Sequence, residues 1–389
     1  DAGYAPPSMA PLAANAGSTI RATPRRSLAC KPCSTAILNY PCGVVDDMND
    51  FELHTVVVGR DAMACRFEVC LNAGETADGT ALAVEALDLV DGIENRISVY
   101  RDTSELARLN ATAAEGWQPV SANVFAMLVR ARELYDLTGG AFDIAAGPLV
   151  RAWGFLAREG RVPDAEALAA ARERAGMQHV ELDAEGHRVR FARPGVELNP
   201  GAIGKGWAVD RAIDRLAAAG VASALVHGGQ SSVRARGVHG PDLPGRRGWP
   251  VGLRDPLRPG RRLATITLVD RALGTSGSGT QFFVDRGRRL GHILDPRTGR
   301  PAEGVVSATV LAPTAADADA LATALYVLGP AGLDRIAPPG GDVGALLVVP
   351  AAAAGGVRLL VANVADADVA VEGPGVEVVR HGGSGPAPA

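Results

Sequence analysis

The sequence predicts an α+β fold in one large mixed domain, and three observations carry that expectation. From residue 52 onward apolar residues recur with periods of both two and 3.6, so strands and helices are both present. The two kinds of segment do not alternate regularly, which favours antiparallel-rich sheets with helices beside them over a doubly wound parallel sheet. With 389 residues and 47% hydrophobic content, the chain can also bury a sizeable core without disulfide or metal staples.

Taken in order, 52–58 and 62–71 alternate as strands and are expected to join near Gly59. Residues 80–95 set Leu82, Ala86, Leu89, Val90 and Ile93 on one helical stripe. Ser121 is the expected N-cap of a second helix that ends at Gly139-Gly140. Residues 164–175 are Ala-rich and helical, with short strands at 179–182 and 187–192. A helix over 206–219, closed by Gly220, precedes strands at 222–226 and 231–236. Further strands are expected at 249–254, 262–268, 280–284, 305–311, 343–349 and 357–361, with a helix at 315–328. The domain is expected over 48–364, with 1–47 a disordered leader outside the fold and 365–389 a flexible polar tail.

Composition excludes several function classes. The formal net charge is −4 and the basic residues are scattered, so there is no electrostatic footprint for nucleic acid. No apolar run is long enough to cross a bilayer as a helix. Within 1–47 no charged n-region leads into an apolar h-region, so no secretory signal is read there and the compartment stays open. Cys30-x-x-Cys33 has no second pair of ligands behind it, which argues against a metal site. Cys65 and Cys70 occupy odd and even positions of one strand, face opposite sides and are not expected to pair. Of the 39 basic residues 37 are Arg, and the two lysines are Lys31 and Lys205.

Five segments are richer in Gly, Asp, Thr and His than a core needs. Gly201-Ala202-Ile203-Gly204-Lys205-Gly206 stands directly before a helix, where backbone N–H groups and the helix dipole favour an anion. Its spacing is not that of a Walker loop, and a glycine-rich turn without a ligand has the same letters. On the 315–328 helix, Thr314 and Asp317 make a capping pair, whereas Asp319 and Thr323 at i and i+4 project oxygens from one face. A carboxylate plus a hydroxyl suits a hard cation such as Mg²⁺, and a solvated polar pair is the alternative. In His292-Ile-Leu-Asp295-Pro296-Arg297-Thr298-Gly299 the Asp-Pro-x-x-Gly core is turn chemistry, but the turn does not require a histidine before it. Thr275-Ser276-Gly277-Ser278-Gly279 reads as a small-residue loop between strands, able to bind phosphate or simply to turn the chain. Phe142-Asp143-Ile144 through Trp153-Gly154-Phe155 combines aromatics and turns that suit a planar ring ligand or an ordinary core.

Together and in this order these segments resemble the ApbE-like FAD:protein FMN transferase family across roughly residues 52–350. The matching stretches include Ala62-Met63-Ala64-Cys65, Ser98-Val-Tyr100-Arg101 through Leu109-Asn110, Phe142-Asp143 with Gly147-Pro148-Leu149, the Gly201–Asp210 stretch, Gly228-Gly229, Thr275-Ser276-Gly277, the His292–Gly299 loop and the Asp319–Thr323 helix. The resemblance implies a central cleft for FAD, Mg²⁺ near its pyrophosphate, and transfer of FMN to a Ser/Thr hydroxyl of an acceptor protein with release of AMP. It implies Asp319, Thr323 and the carbonyl of Ala202 as metal ligands, Lys205 near the diphosphate or the adenosine part, Gly204 and Ser276 as further FAD-binding residues, and Thr298 in the loop around the reacting phosphate. It further implies Met63 and Tyr100 at the flavin or adenine, and His292 with Asp295 as catalytic residues. Family members are often exported and membrane-anchored, which would put the acceptor near a membrane. The chain departs from the family pattern in three places: Leu198-Asn199-Pro200 before the glycine turn, Gln230 where Gly-Gly-Asp is customary, and Met63-Ala64-Cys65 for Met-Gly-Thr. Gln230 cannot act as a base or a charged ligand. The same residues would also serve an FAD pyrophosphatase that yields free FMN and AMP, or a non-catalytic flavin-binding protein.

Overall fold

The computed structural model describes residues 36–37, 55–240, 248–258, 260–277, 279, 281–351, 356–372 and 375–382. Apart from the two-residue strand Ala36–Ile37, the leader expected at 1–47 lies outside the described residues, as does Ser278.

A nine-stranded sheet organises the chain: β1 (Thr55–Ala62), β2 (Cys65–Asn72), β3 (Ala224–Gly228), β4 (Ser232–Arg236), β5 (Ala272–Gly277), β6 (Ser307–Ala312), β7 (Gly344–Pro350), β8 (Val357–Ala362) and β9 (Glu377–His381). Neighbours in sequence are neighbours in space, every pairing is antiparallel except β8–β9, and the α+β expectation holds. The period-two pattern divides its two faces. Phe67, Val69 and Leu71 turn to one face and Cys70 to the other, so Cys65 and Cys70 lie in different cores and neither forms a disulfide.

The helices are α1 (Gly79–Ile97), α2 (Glu105–Thr112), α3 (Ala122–Thr138), α4 (Gly147–Ala152), α5 (Ala165–Arg174), α6 (Gly204–Ala218) and α7 (Ala315–Leu328), of which α1, α2, α3, α6 and α7 build the main core with the first face of the sheet. A second core joins the other face to the paired strands Trp249–Arg254 and Arg262–Leu268. A small satellite cluster around Leu149, Trp153 and Phe155 packs α4 and α5 against Leu290 and Leu294. The helix ends follow the caps. Gly139 closes α3 at φ 62, and the Thr314 hydroxyl accepts from Asp317 N–H at 3.2 Å to open α7.

Four expectations are corrected. The first two strands join at Met63-Ala64, not at Gly59, which lies inside β1 beside the Arg66 guanidinium. Met63 and Ala64 take φ 49 and 59, the left-handed pair that a two-residue hairpin demands, without the Gly or Asn that usually announces it. α6 starts at Gly204, two residues early, because the glycine turn itself winds into the helix. Thr275-Ser276-Gly277 is the end of β5, fully in register with β6, not a loop. Residues 365–389 are not simply a tail: Val369–Val371 pairs with Arg262–Leu268, and β9 pairs with β8. Strands of three and five residues leave little periodicity to read. The left-handed strain at Ala64 has a measurable consequence. Ala64→Gly is expected to stabilise the fold by about 0.5–1 kcal/mol, read as a higher Tm, since only glycine adopts that φ without steric cost.

Candidate active site

The candidate residues gather at the end of the sheet where β4 begins and β5 ends, with α6 starting above them and α7 crossing over. Two glycines allow α7 to come so close. A Cβ on Gly206 would stand 2.1 Å from the Ala315 carbonyl oxygen, and one on Gly274 would stand 2.3 Å from that of Ala318. Helix α7 is therefore in backbone contact with α6 on one side and β5 on the other, and Asp319 sits between them.

Asp319 is only 5% exposed. Its Oδ2 accepts from the Gly206 N–H at 3.0 Å, and its Oδ1 accepts from the Ser232 hydroxyl at 2.7 Å. Lys205 Nζ lies 3.7 Å from Oδ2. Gly206 is the third residue of α6, so its N–H has no acceptor within the helix, and the Asp319 carboxylate supplies one. One turn further along α7, Thr323 Oγ1 donates to the Asp319 carbonyl at 3.2 Å and shares a 2.9 Å hydrogen bond with Ser276 Oγ. The structure thus brings Gly204, Lys205, Ser276, Asp319 and Thr323 to one place, with Ala202 just ahead of the helix.

His292 approaches from the hairpin side. Its Nδ1–H donates to the Gln281 carbonyl at 3.0 Å and its ring meets Phe155 edge-on at 6.5 Å. A carbonyl only accepts, so the neutral ring carries its proton on Nδ1 and keeps Nε2 as the acceptor nitrogen. Burial holds the imidazole below the ordinary histidine value, and the Lys205 charge pushes the same way against the Gln281 carbonyl. Lys205 thus connects the histidine electrostatically to the Asp319 group.

The other expected residues have settings of their own. Asp295 is taken up by its own turn: it forks Arg297 through Oδ1–Nε and Oδ2–Nη2 contacts of 2.9 Å each, and its carbonyl accepts from Gly299 N–H at 2.7 Å. Thr298 is exposed and its hydroxyl accepts from Arg300 N–H at 3.3 Å. Met63 is half-buried in the left-handed turn, and Tyr100 is 67% exposed. Gln230 follows Gly229 in a second left-handed turn, at φ 61, on the same end of the sheet as Met63.

Sequence reasoning missed Ser232 and Asp210, both 1% exposed or less. Asp210 had a signal: a carboxylate in the buried run of α6, flanked by Trp207, Val209 and Ile213. Ser232 had none beyond strand alternation. A cleft of about 470 Å³, lined by Tyr135, Asp143, Arg172 and Gln178, meets the His292–Gly299 loop at Pro296 and Arg297. Burial pushes its Asp143 carboxyl up to about 7 although the Ala145 N–H donates to it at 2.7 Å.

The ApbE family pattern matches residues 63–347, a span that contains every candidate residue named above. The chain belongs to the ApbE family. Its ApbE relatives include the FAD:protein FMN transferase of Treponema pallidum, 36% identical over 299 residues that cover 74% of this chain and 81% of that protein. The Escherichia coli K12 FAD:protein FMN transferase is 32% identical over 247 residues, 62% of this chain and 69% of its own. Among solved ApbE structures, the apo form of the Pseudomonas stutzeri flavinyl transferase superposes with a TM-score of 0.70 at 31% identity, covering 81% of this chain and 97% of that one.

Proposed function

We propose that this chain is a Mg²⁺-dependent FAD:protein FMN transferase that moves FMN from FAD onto a Ser/Thr hydroxyl of an acceptor protein and releases AMP. The observation that carries the chemistry is the grouping of Lys205, Ser276, Asp319 and Thr323 at the N-terminus of α6, in a chain whose relatives are FAD:protein FMN transferases.

The donor set fits the metal. The Asp319 carboxylate, the Thr323 hydroxyl and the Ala202 carbonyl are hard oxygens, and among the described residues no cluster of three or more His, Cys, Asp or Glu competes as a softer or more acidic cage. Such a sparse set suits Mg²⁺, which keeps waters and takes one or two carboxylates plus substrate phosphates. When bound, the ion would offset pyrophosphate charge and polarise the phosphoryl oxygens. The α6 N-terminus offers N–H groups and the positive end of its dipole to the same phosphates, and Lys205 adds a point charge. As the acceptor oxygen bonds the FMN phosphorus, the bridging P–O bond breaks and AMP leaves. His292 Nε2 is suited to take the hydroxyl proton, because its Nδ1–H is already committed to Gln281.

His292→Ala is expected to lower kcat/KM by about 10²–10⁴ while leaving FAD binding in place. In the parent protein the acid limb of kcat/KM should fall below the ordinary histidine value, since deprotonation is favoured by burial and by Lys205. Lys205→Met should move that limb upward. Incubation with FAD, Mg²⁺ and a candidate acceptor, followed by intact-mass analysis, distinguishes the activities. A mass increase equal to the FMN adduct supports transfer, free FMN alone marks a pyrophosphatase, and bound FAD without product marks a binding protein.

A further inference from the structure

Asp210 lies on α6, is 1% exposed, and spends both carboxylate oxygens on another helix. Oδ1 accepts from Ala315 N–H at 2.8 Å and from Arg234 Nη1 at 2.9 Å, while Oδ2 accepts from Ala316 N–H at 2.9 Å. Ala315 and Ala316 are the first two residues of α7, whose N–H groups have no partner within their own helix. Thr314 supplies the next two, its hydroxyl to Asp317 N–H and its carbonyl to Ala318 N–H at 3.0 Å. The first turn of α7 is therefore capped in full, half of it by a side chain from α6.

The spacing gives that cap a purpose. Gly206 and Asp210 are four residues apart on α6, and Ala315 and Asp319 are four apart on α7. Gly206 N–H holds the Asp319 carboxylate and Asp210 holds the Ala315 N–H, so the two helices are joined twice, one turn apart. Two such joints fix both the rotation and the sliding of α7 on α6, and with them the place of Asp319 and Thr323 over the glycine turn. The arrangement is costly: burial pushes the Asp210 carboxyl up to about 6 despite Arg234 and the two N–H donors. An apolar residue would avoid that cost but would leave two buried N–H groups of α7 unpaired, and Asn would keep an acceptor on one side only.

We propose that Asp210 is a positioning residue whose carboxylate, steadied by Arg234, clamps the start of α7 to α6 and so sets the Asp319–Thr323 pair for a divalent cation. The proposal builds on the metal site of the transferase reading, but its test does not depend on FMN transfer. Asp210 touches neither substrate nor metal in this role.

Purified full-length protein is titrated with Mg²⁺ in the presence of FAD and read by thermal shift, with half-saturation as the observable. Asp210→Asn keeps the volume and removes the charge. It is expected to raise the Mg²⁺ half-saturation about 10–100-fold, as loss of a supporting partner around a metal ligand does elsewhere. Asp210→Glu should recover part of that loss. A lower Tm with unchanged Mg²⁺ half-saturation would mean a merely structural cap and overturns the proposal. If Asp210→Asn does not fold, Arg234→Gln carries the same test by weakening the clamp without emptying it: a raised half-saturation supports positioning and an unchanged one overturns it. Should the parent protein show the Mg²⁺ shift but no FMN transfer, the clamp stands while the transferase assignment falls.

Discussion

Asp319→Ala is expected to lower FMN transfer, read as Mg²⁺-dependent AMP release from FAD, by about 10³-fold or more. Loss of a metal's charge stabilisation costs several kcal/mol of barrier, and each 1.36 kcal/mol is tenfold in rate. The same substitution strands partners that Asp319 now satisfies: the Ser232 hydroxyl at 2.7 Å, the Gly206 N–H at 3.0 Å and the Lys205 ammonium at 3.7 Å. Leaving buried donors unmet costs about 1–3 kcal/mol in stability, so part of the activity loss from Ala could reflect a loosened α6–α7 contact. Asp319→Asn narrows the two effects. It keeps the side-chain volume and the acceptor for Ser232, but it removes the charge and sets an amide NH2 where Oδ2 accepts from Gly206 N–H. If the charge is what matters, Asn loses as much rate as Ala but less Tm. Normal turnover by either variant would remove Asp319 from the metal site.

What could be read from the sequence, and what could not, follows from the range of the interactions involved. Helix α7 was expected at 315–328 and is Ala315–Leu328, because its start and stop are local: Thr314 caps Asp317 N–H and Gly329-Pro330 ends the run. The Asp319–Thr323 pair was legible for the same reason, being an i, i+4 relation inside one helix. The turn between β1 and β2 was misplaced because Met63-Ala64 carries no turn residue, while Gly59 does and lies within a strand. Thr275-Ser276-Gly277 looked like a loop because its residues are small, while its pairing with β6, some thirty residues away, leaves no local trace. Asp210 and Ser232 were missed for a related reason. Each acts on an element about a hundred residues away, and one sequence without relatives shows no trace of such a pairing. Lys205 is the intermediate case. Its helix-start position was readable, its distance to Asp319 and its effect on His292 were not.

Gly206→Ala puts that long-range contact to its hardest test. In a helix interior Ala is better than Gly by roughly 0.5–1 kcal/mol, so helix propensity alone predicts a more stable protein. Packing predicts the opposite. The new Cβ would lie 2.1 Å from the Ala315 carbonyl oxygen, 2.4 Å from its carbon and 2.7 Å from Ala316 N, all backbone atoms that cannot rotate away. Overpacking of this kind costs about 1–3 kcal/mol and more where backbone must move, so packing wins. The relief available is separation of α6 from α7, which stretches the Gly206 N–H from Asp319 and the Asp210 carboxylate from Ala315 and Ala316 together. Gly206→Ala is therefore expected to lower stability by about 2 kcal/mol net and to weaken Mg²⁺-dependent activity in parallel. Gly92→Ala is the matched control, since Gly92 lies inside α1 with nothing within 4 Å of its added Cβ, and there the same change should raise Tm. Denaturant melts of the two variants should move in opposite directions. A Gly206→Ala protein as stable and active as its parent would show that α6 and α7 can part without disturbing Asp319, and the double joint between them would lose its functional meaning.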